Sequence, residues 1–260
     1  MDLKLKDKVA IVTGGSRGLG AAICLGLAAE GAKVAINYYR DLDQGVDLVD
    51  EATALAGRIK AECAVDAIPV PGNVARAADV RQMFALAETA FGPVEVLVNN
   101  AGVWPTAYVK DMTEQQWNTT QQINLTGPFL TCREAVRRWL DSGRPGRIVN
   151  ITSQAAFHGS TSGHAHYAAS KAGLVALTVS LAREVAPHGI HVNAVAPGMM
   201  CTDMAHDALQ KDEQRYIERI PLRRVAGAEE VAGVVVFLAS QRASYMTGAT
   251  VDVTGGMLMR

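Results

Sequence analysis

The chain has 260 residues, of which 49% are hydrophobic and 20% are charged, and this ordinary globular composition excludes a disordered chain, a collagen or a coiled coil. Lys and Arg number 25 and Asp and Glu number 26, so the net charge is −1. With so little net charge, general electrostatic attraction to nucleic acid or to anionic lipid is not expected.

Short apolar runs alternate with longer helical patterns along the chain. The runs that predict strands are residues 9–13, 34–38, 67–70, 94–98, 147–152, 191–196 and 250–253. Several of them are apolar almost throughout, which is typical of parallel strands buried on both faces. The stretches that predict helices are residues 19–30, 43–63, 75–91, 113–141, 167–186, 203–218 and 229–241.

This alternation predicts an α/β fold, namely a single doubly wound Rossmann domain over residues 1–260 with a seven-stranded parallel sheet and helices on both faces. Four of the predicted helices are followed by a glycine, as a left-handed C-cap favours: Gly31, Gly92, Gly143 and Gly189. In such sheets ligands bind beyond the carboxyl ends of the strands. We expect the segment around residues 199–220 to form a lid over the substrate.

The cysteines and the apolar stretches bear on the compartment. The four cysteines are far apart in sequence: Cys24, Cys63, Cys132 and Cys201. They form no CxxC pair or zinc spacing and indicate a reducing compartment. The first nine residues contain no apolar segment, so we expect no secretory signal and a cytoplasmic protein. The uncharged stretches 148–170 and 185–202 are interrupted by polar residues, Gly or Pro, and are expected to surround a site rather than to span a membrane.

A glycine-rich loop joins the first predicted strand to the first predicted helix, in the order Thr13-Gly14-Gly15-Ser16-Arg17-Gly18-Leu19-Gly20. Gly14 permits a tight turn, Gly18 lets the backbone approach a pyrophosphate, and Gly20 lets the helix pack closely on the strand. The free N–H groups at the start of the helix favour phosphates. A glycine loop between a strand and a helix predicts a dinucleotide cofactor.

A tyrosine and a lysine four residues apart, Tyr167 and Lys171, are expected to project from one face of a helix. A free phenol has a pKa of about 10, and a nearby cation lowers the pKa of a phenol, so Lys171 would make Tyr167 a better proton shuttle. Ser153 ends the fifth predicted strand, where its hydroxyl would polarise a substrate carbonyl. These residues predict general acid and base chemistry.

Further motifs follow in order along the chain: Asn99-Asn100-Ala101-Gly102, Asn124, Ser153, Tyr167-Ala168-Ala169-Ser170-Lys171 and Pro197-Gly198. Together with the TGxxxGxG loop they resemble the short-chain dehydrogenase/reductase family over nearly the whole chain. The resemblance implies a nicotinamide-dependent oxidoreductase, similar to 3-oxoacyl-acyl-carrier-protein reductases and to sugar or steroid dehydrogenases. It also implies that Lys171 grips the nicotinamide ribose and that Asn124 is a fourth catalytic residue, which holds a water in a proton relay. Asn124 could instead be a polar residue that bends a helix.

The end of the second strand bears on the choice of cofactor. Enzymes that use NAD carry an Asp or Glu there for the ribose 2′-hydroxyl, whereas this strand ends Ile36-Asn37-Tyr38-Tyr39-Arg40. Tyr38 occupies about the position of the acid. Arg17 and Arg40 are predicted to clamp a 2′-phosphate, with neutral donors from Ser16 and Asn37. We therefore expect NADP(H) rather than NAD(H), the alternative being that Arg40 pairs with Asp41 or Asp43.

Other cofactor contacts are implied by the resemblance. Asn73 would read the adenine, small residues at Ala101 and Gly102 would admit its ribose, and Thr202 would help the backbone hold the carboxamide. The remaining predicted contacts are Leu19, Val74, Asn100, Tyr167, Lys171, Pro197, Gly198 and Met200. Asn99 is expected to brace the sheet rather than to touch the ligand.

The residues expected near the substrate flank the catalytic residues in loops at strand ends: Trp104, Gln154, Phe157, His158, His164, Met199 and Met204. They would favour a partly apolar ketone, although each of them could simply pack the lid. His158, His164 and His166 have no acidic or Cys residue nearby to complete a metal site, so we expect no metal.

The sequence thus predicts an NADPH-dependent reductase that converts a ketone or 3-oxoacyl substrate to an alcohol reversibly, with catalytic residues Asn124, Ser153, Tyr167 and Lys171. The alternative is a regulator or redox sensor that binds the nicotinamide cofactor without turnover. The expected partners are a small carbonyl or alcohol substrate and further copies of the chain in a homotetramer. This expectation for the assembly follows from the resemblance, since relatives pack the helix at residues 113–141 and the tyrosine helix against their symmetry mates.

Overall fold

The computed structural model describes residues 2–41, 45–160, 163–202 and 206–259. Its strands in this part of the chain are β1 Val9–Val12, β2 Lys33–Tyr38, β3 Arg40–Asp41, β4 Val46–Asp47, β5 Ala67–Pro71, β6 Val96–Asn99, β7 Gly146–Ile151, β8 Ile190–Pro197 and β9 Thr250–Val253. Its α-helices are α1 Gly18–Ala29, α2 Val49–Cys63, α3 Ala77–Phe91, α4 Glu114–Gln121, α5 Gly127–Ser142, α6 Ala155–His158, α7 Ala165–Val185, α8 His206–Arg219 and α9 Ala228–Ala239.

Seven strands form one parallel sheet in the order β5-β2-β1-β6-β7-β8-β9. The order reverses between β1 and β6, so the loops that leave these two strands diverge and open a crevice at the carboxyl edge of the sheet. The predicted Rossmann fold is confirmed. The four glycines predicted to end helices all have a positive φ: Gly31, Gly92, Gly143 and Gly189.

Helices cover both faces of the sheet, as predicted. On one face, α1, α2 and α9 bury side chains such as Ile23, Ile59 and Val235. On the other face, α3, α5 and α7 bury Phe84, Trp139 and their neighbours. The strands between these two layers are mostly apolar because side chains on both of their faces are removed from water.

A short antiparallel hairpin, β3–β4, leaves the end of β2. The prediction of one helix over residues 43–63 was wrong in its first part, because the chain first forms this hairpin and α2 begins only at Val49. Asp43 lies outside the described residues. The hairpin changes the direction of the chain immediately after β2, at the position where the sequence places its cofactor-specificity residues.

The predicted helix 113–141 is divided by one π-helical turn, Gln122–Thr126, between α4 and α5. Pro128 in the first turn of α5 lacks an N–H group, and its ring cannot continue a regular α-helix through the preceding turn. π-Helical turns occur frequently at functional sites. This turn carries Asn124 into the protein interior, where its side chain is fully buried.

The segment expected to form a lid contains α8, which bends at Asp212. Part of this segment, including Asp203 and Met204, lies outside the described residues. None of the helices in the described ranges has the length and apolar character that crossing a bilayer requires.

Candidate active site

A cavity of about 1330 Å³ lies at the carboxyl edge of the sheet, where the sequence predicted ligand binding. Loops that leave β1, β2, β5, β6, β7 and β8 line it, together with the start of α7. The glycine loop and Ser153, Tyr167 and Lys171 all line it. One continuous cavity therefore connects the predicted cofactor residues with the predicted catalytic residues.

The glycine loop has the close packing that its composition predicted. Gly14 has a φ of +58°, which favours glycine. A Cβ atom at Gly20 would lie 2.1 Å from the carbonyl oxygen of Gly14, so any larger residue would push the helix away from the loop. Thr13 fixes the neighbouring loop, since its Oγ1 accepts hydrogen bonds from the backbone N–H groups of Asn100 at 2.9 Å and Ala101 at 3.0 Å.

The start of α1 points into this cavity, and no side chain caps it at Arg17. Ser16, Arg17, Gly18 and Leu19 all line the cavity wall. Uncapped N–H groups at a helix start carry partial positive charge and bind phosphate groups. The close-packed glycines and the open helix start together fit the pyrophosphate of a dinucleotide. Asn100 supports the loop rather than facing outward, because its Nδ2 donates to the carbonyl oxygens of Thr13 and Gly14.

The structure does not bring all the predicted specificity residues to the cavity. Arg40 is exposed, pairs with Asp47 at 3.3 Å across the β3–β4 hairpin, and lies away from the cavity wall. Tyr38 is buried in the core. Asn37 does line the cavity, but its Nδ2 donates to Val70 and Gly72 carbonyl oxygens and its Oδ1 accepts from the N–H of Gly14. The expected neutral donor is therefore already used within the fold.

Three residues that were not predicted from the sequence line the cavity where Tyr38 and Arg40 were expected: Tyr39, Asp41 and Arg76. The buried Asp41 carboxylate accepts a hydrogen bond from the Tyr39 hydroxyl at 3.0 Å and lies 3.8 Å from the Arg76 guanidinium. Arg76 follows the predicted adenine loop by three residues, which was the available signal. Arg17 also lines the cavity, so the guanidinium groups of Arg17 and Arg76 are both on its wall.

The other predicted cofactor residues line the cavity where expected. Asn73 and Val74 follow β5, and Ala101 and Gly102 follow β6. Pro197, Gly198, Met200 and Thr202 follow β8. The Asn73 Oδ1 accepts a hydrogen bond from the N–H of Ala75 at 2.9 Å, which fixes the orientation of the amide. Asn99 joins β6 to β7 through its Nδ2, which donates to Asn150 Oδ1 at 2.8 Å, and its predicted bracing role is confirmed.

Ser153, Tyr167 and Lys171 come together from the end of β7 and the first turns of α7. Lys171 is buried, and its Nζ donates to the Ile151 carbonyl oxygen at 2.8 Å and lies 5.7 Å from the centre of the Tyr167 ring. The Ser153 hydroxyl accepts the N–H of Ala155 at 3.1 Å. The i, i+4 spacing on α7 thus places the ammonium and the phenol on one face, as the sequence predicted.

Burial determines the protonation of these groups. It raises the pKa of the Tyr167 phenol, while a hydrogen bond with Ser153 acts in the opposite direction. Burial lowers the pKa of Lys171 to about 8. The sequence predicted a lowered pKa for Tyr167. In this chain desolvation is the largest effect on the pKa of the phenol and raises it, so the phenol keeps its proton at neutral pH.

Asn124 is bound on three sides. Its Oδ1 accepts the N–H of Val103 at 2.8 Å, and its Nδ2 donates to the Val103 carbonyl oxygen at 2.9 Å and to Ser170 Oγ at 3.2 Å. A Cβ atom at Gly102 would lie 3.2 Å from Asn124 Oδ1 and 3.6 Å from Lys171 Nζ. Asn124 and Lys171 therefore flank the same glycine, and Asn124 fixes the loop that follows β6.

The residues predicted near the substrate divide into three groups. Those that line the cavity beside Tyr167 are Trp104, Gln154, His158, His164 and Met199. Phe157 does not line it, and Met204 lies outside the described residues. Sequence reasoning missed Tyr216, Arg219 and Met257, which also line the cavity. No local motif marks these three residues, because α8 and the carboxyl-terminal segment reach the site only through the fold.

His158, His164 and His166 do not form a metal centre. In the described ranges, no three His, Cys, Asp or Glu side chains gather as a metal site would require. His166 is buried with neither ring nitrogen hydrogen-bonded, and His164 instead stacks on Trp104 with ring centres 4.5 Å apart.

Comparisons with known proteins agree with this geometry. A family model described as Enoyl-(Acyl carrier protein) reductase matches residues 14–258. The 3-oxoacyl-[acyl-carrier-protein] reductase FabG of Staphylococcus epidermidis is 41% identical over 253 residues, which cover 97% of this chain and 100% of the relative. The corresponding protein of Aquifex aeolicus is 39% identical over 257 residues, which cover 99% and 100%. A short-chain type dehydrogenase/reductase from Mycobacterium marinum is 32% identical with a TM-score of 0.92, and the match covers 100% of this chain and 98% of that one.

The chain belongs to the short-chain dehydrogenase/reductase family. This short-chain dehydrogenase/reductase is therefore an oxidoreductase that uses a nicotinamide cofactor. The glycine loop and the uncapped start of α1 fit the pyrophosphate of that cofactor, and Ser153, Tyr167 and Lys171 line the same cavity.

Proposed function

We propose that this enzyme reduces a ketone or 3-oxoacyl substrate to an alcohol at the expense of NADPH, in a reversible reaction with Tyr167 as the proton donor. The observation that carries the proposal is the position of Ser153, Tyr167 and Lys171 on the wall of one cavity with the glycine loop. The 3-oxoacyl class is included because relatives about 40% identical over nearly their whole length carry that name.

A bound nicotinamide dinucleotide supplies the hydride that adds to the carbonyl carbon. Ser153 donates a hydrogen bond to the carbonyl oxygen, where negative charge develops. Tyr167, whose phenol is protonated at neutral pH, gives its proton to that oxygen. Lys171 holds positive charge beside the phenolate that forms, and Asn124 fixes the loop against which Lys171 lies.

The preference for NADPH is proposed on the charge at the adenosine end of the cavity. Arg17 and Arg76 both line this end, and guanidinium groups bind phosphate oxygens through paired hydrogen bonds. Arg76 thereby replaces Arg40 as the second member of the clamp that the sequence predicted. The Asp41 carboxylate is engaged by Tyr39 and Arg76, which reduces its repulsion of a 2′-phosphate.

The assembly and the compartment are also proposals. Exposed apolar side chains along α4 and α5, namely Trp117, Phe129 and Leu140, would be covered in the homotetramer that the family resemblance implied. The four cysteines are free thiols, which fits the cytoplasm. Sedimentation of the purified protein tests the tetramer.

The test is NADPH oxidation against a 3-oxoacyl thioester, a steroid ketone, a keto sugar and a small diketone. We expect turnover of one class, and we expect Tyr167→Phe to lower kcat by about 10²–10⁴-fold while the Kd for NADPH is unchanged, because only the proton donor is lost. Tyr108→Phe removes an exposed phenol outside the cavity and is the matched control, with kcat retained. Tight NADPH binding without turnover of any class, or full activity of Tyr167→Phe, would contradict the proposal.

A further inference from the structure

His164 and Trp104 form one wall of the cavity beside Tyr167. Their rings are stacked with centres 4.5 Å apart and an interplanar angle of 27°, and the Trp104 ring centre is 6.3 Å from that of Tyr167. His164 directly precedes α7, and Tyr167 lies three residues further on, so both side chains leave the same side of the helix start. The wall is therefore adjacent to the group that donates the proton.

The hydrogen bond of His164 determines what this wall presents to a ligand. Nδ1 lies 2.8 Å from the carbonyl oxygen of Pro105. A carbonyl oxygen only accepts, so Nδ1 must carry the hydrogen, and in the neutral imidazole Nε2 then keeps its lone pair. Burial lowers the pKa of His164, which keeps the ring neutral at neutral pH.

The second ring nitrogen of His164 is left for a ligand. Among the described residues, Nε2 has no hydrogen-bond partner, and it is open to the cavity that His164 lines. The side chain is only 5% exposed, and its stacking on Trp104 and its bond to Pro105 hold it in place. A fixed acceptor at the cavity wall is available only to a group that donates a hydrogen bond.

We propose that His164 recognises a hydrogen-bond donor on the substrate, so that the preferred carbonyl compound carries a hydroxyl or an amide N–H close to the carbonyl that is reduced. The inference rests on the proposed reductase function and narrows its substrate class. A plain ketone leaves the His164 acceptor unpaired when it displaces water, and a site built to bind a donor discriminates against a substrate that lacks one.

The test uses matched substrates and NADPH. An α-hydroxyketone is compared with its O-methyl ether, which keeps the oxygen but loses the donor, and a 3-oxo amide with a free N–H is compared with its N-methyl form. We expect kcat/KM to be about tenfold higher for one or both donor-bearing members, and the pair that responds distinguishes a hydroxyl from an amide.

Variants at His164 test whether this residue causes the preference for donor-bearing substrates. His164→Phe keeps a ring on Trp104 but removes the acceptor, so the ratio of kcat/KM should fall to about one, mainly through the donor-bearing substrate. His164→Gln offers another acceptor and should restore part of the ratio. His188→Phe makes the same substitution at an exposed histidine outside the cavity and should leave the ratio unchanged. A wild-type ratio of one for both pairs, or the same ratio in His164→Phe as in the wild type, overturns the proposal.

A binding measurement separates this proposal from the proposed function. The Kd of each substrate is measured by calorimetry on the Tyr167→Phe enzyme with NADPH present. If the wild-type enzyme turns over none of the ketones but the donor-bearing members bind more tightly through His164, the reductase function fails and the recognition stands. If turnover occurs without any donor preference in kcat/KM or Kd, only the recognition by His164 fails.

Discussion

Asn124 and Val103 exchange two hydrogen bonds, in which the Asn124 Oδ1 accepts the Val103 N–H at 2.8 Å and the Asn124 Nδ2 donates to the Val103 carbonyl oxygen at 2.9 Å. A side-chain amide thus pairs with a backbone amide as a neighbouring strand would. The π-helical turn brings Asn124 close enough to do this, and the loop between Gly102 and Trp104 is fixed as a result.

Asn124→Ala should therefore destabilise the protein and weaken catalysis together. The substitution leaves the N–H and the carbonyl oxygen of the partly buried Val103 without their partner, at about 0.5–1.5 kcal/mol for each hydrogen bond, and we expect a loss of about 1–3 kcal/mol in the free energy of unfolding. Urea unfolding measures the loss, and kcat should fall because the loop beside Lys171 is no longer fixed.

Ser170→Ala is the control for Asn124→Ala. It removes one hydrogen bond of Asn124, at 3.2 Å, and the bond from Ser170 Oγ to the Tyr167 carbonyl oxygen, but it leaves the Val103 pair intact. We expect it to cost about 1 kcal/mol. Equal stability of the two variants would show that the Val103 pair contributes nothing.

Arg76 should control the preference for NADPH, and Arg40 should not. Arg76→Ala or Arg17→Ala removes a guanidinium from the adenosine end of the cavity, and a charge-assisted hydrogen bond of about 1.5–3 kcal/mol corresponds to a rise of at least tenfold in the KM for NADPH. The KM for NADH should change little. Arg40→Ala, which removes a surface pair with Asp47 and a hydrogen bond with the Tyr38 side chain but no group on the cavity wall, should leave both values near the wild type.

The three arginine variants also test the prediction from the sequence that Arg40 binds the 2′-phosphate. If Arg40→Ala raises the KM for NADPH and Arg76→Ala does not, the hairpin must move when the cofactor binds. Asp41→Asn provides a further comparison. Because a carboxylate repels a phosphate, its removal should increase the affinity for NADPH if the 2′-phosphate lies beside Asp41.

The sequence predicted the residues whose position depends on local structure. The glycine loop follows β1 directly, and the spacing of Tyr167 and Lys171 places them on one helical face, so their contributions to the cavity could be derived from chain order and helix geometry. The parallel sheet with helices on both faces followed from the alternation of strand and helix patterns. Neither inference required knowledge of distant contacts.

The prediction failed where distant contacts decide the geometry. Arg40 was expected to face the cofactor because it follows β2, but the β3–β4 hairpin and Asp47 draw it away. The pKa of Tyr167 was expected to fall because of Lys171, yet burial by surrounding elements raises it. Arg219 and Met257 reach the cavity from the end of the chain, which no local pattern indicates.

Gly146 should tolerate no side chain, because Trp139 packs directly against it. A Cβ atom at Gly146 would lie 2.3 Å from the Trp139 ring, which is buried and held by a hydrogen bond from its Nε1 to the Val94 carbonyl oxygen at 2.7 Å. We expect Gly146→Ala to cost about 1–3 kcal/mol in unfolding free energy through overpacking. Both residues lie away from the cavity wall, so the KM for NADPH should be unchanged.

Gly57→Ala is the matched control for Gly146→Ala. Gly57 is exposed in the middle of α2, and a Cβ atom there would meet nothing within 4 Å. The same substitution should stabilise the protein by about 0.5–1 kcal/mol, because alanine favours the helix. Thermal unfolding of the two variants should therefore show shifts of opposite sign, and shifts of the same sign would contradict the packing argument.

Lys171→Met should stabilise the cofactor-free protein while it abolishes efficient catalysis. Burial lowers the pKa of Lys171 from 10.5 to about 8, which corresponds to a cost of roughly 3 kcal/mol at pH 7 for keeping the ammonium charged in the fold. Methionine removes that charge but also loses the hydrogen bond to the Ile151 carbonyl oxygen, so we expect a net gain of about 1–3 kcal/mol.

The pH dependence of this gain identifies its cause. Between pH 8 and pH 10.5 the unfolded chain binds the Lys171 proton more tightly than the folded chain, so the wild-type protein becomes more stable as the pH rises through this range. Lys171→Met lacks this contribution. The difference in unfolding free energy between the variant and the wild type should therefore shrink as the pH approaches 10.5. Urea unfolding at pH 7, 8 and 9.5 measures the difference, with activity assayed in parallel. If the variant is no more stable than the wild type at pH 7, or if the difference in stability stays constant with pH, burial of the charged Lys171 does not destabilise the fold.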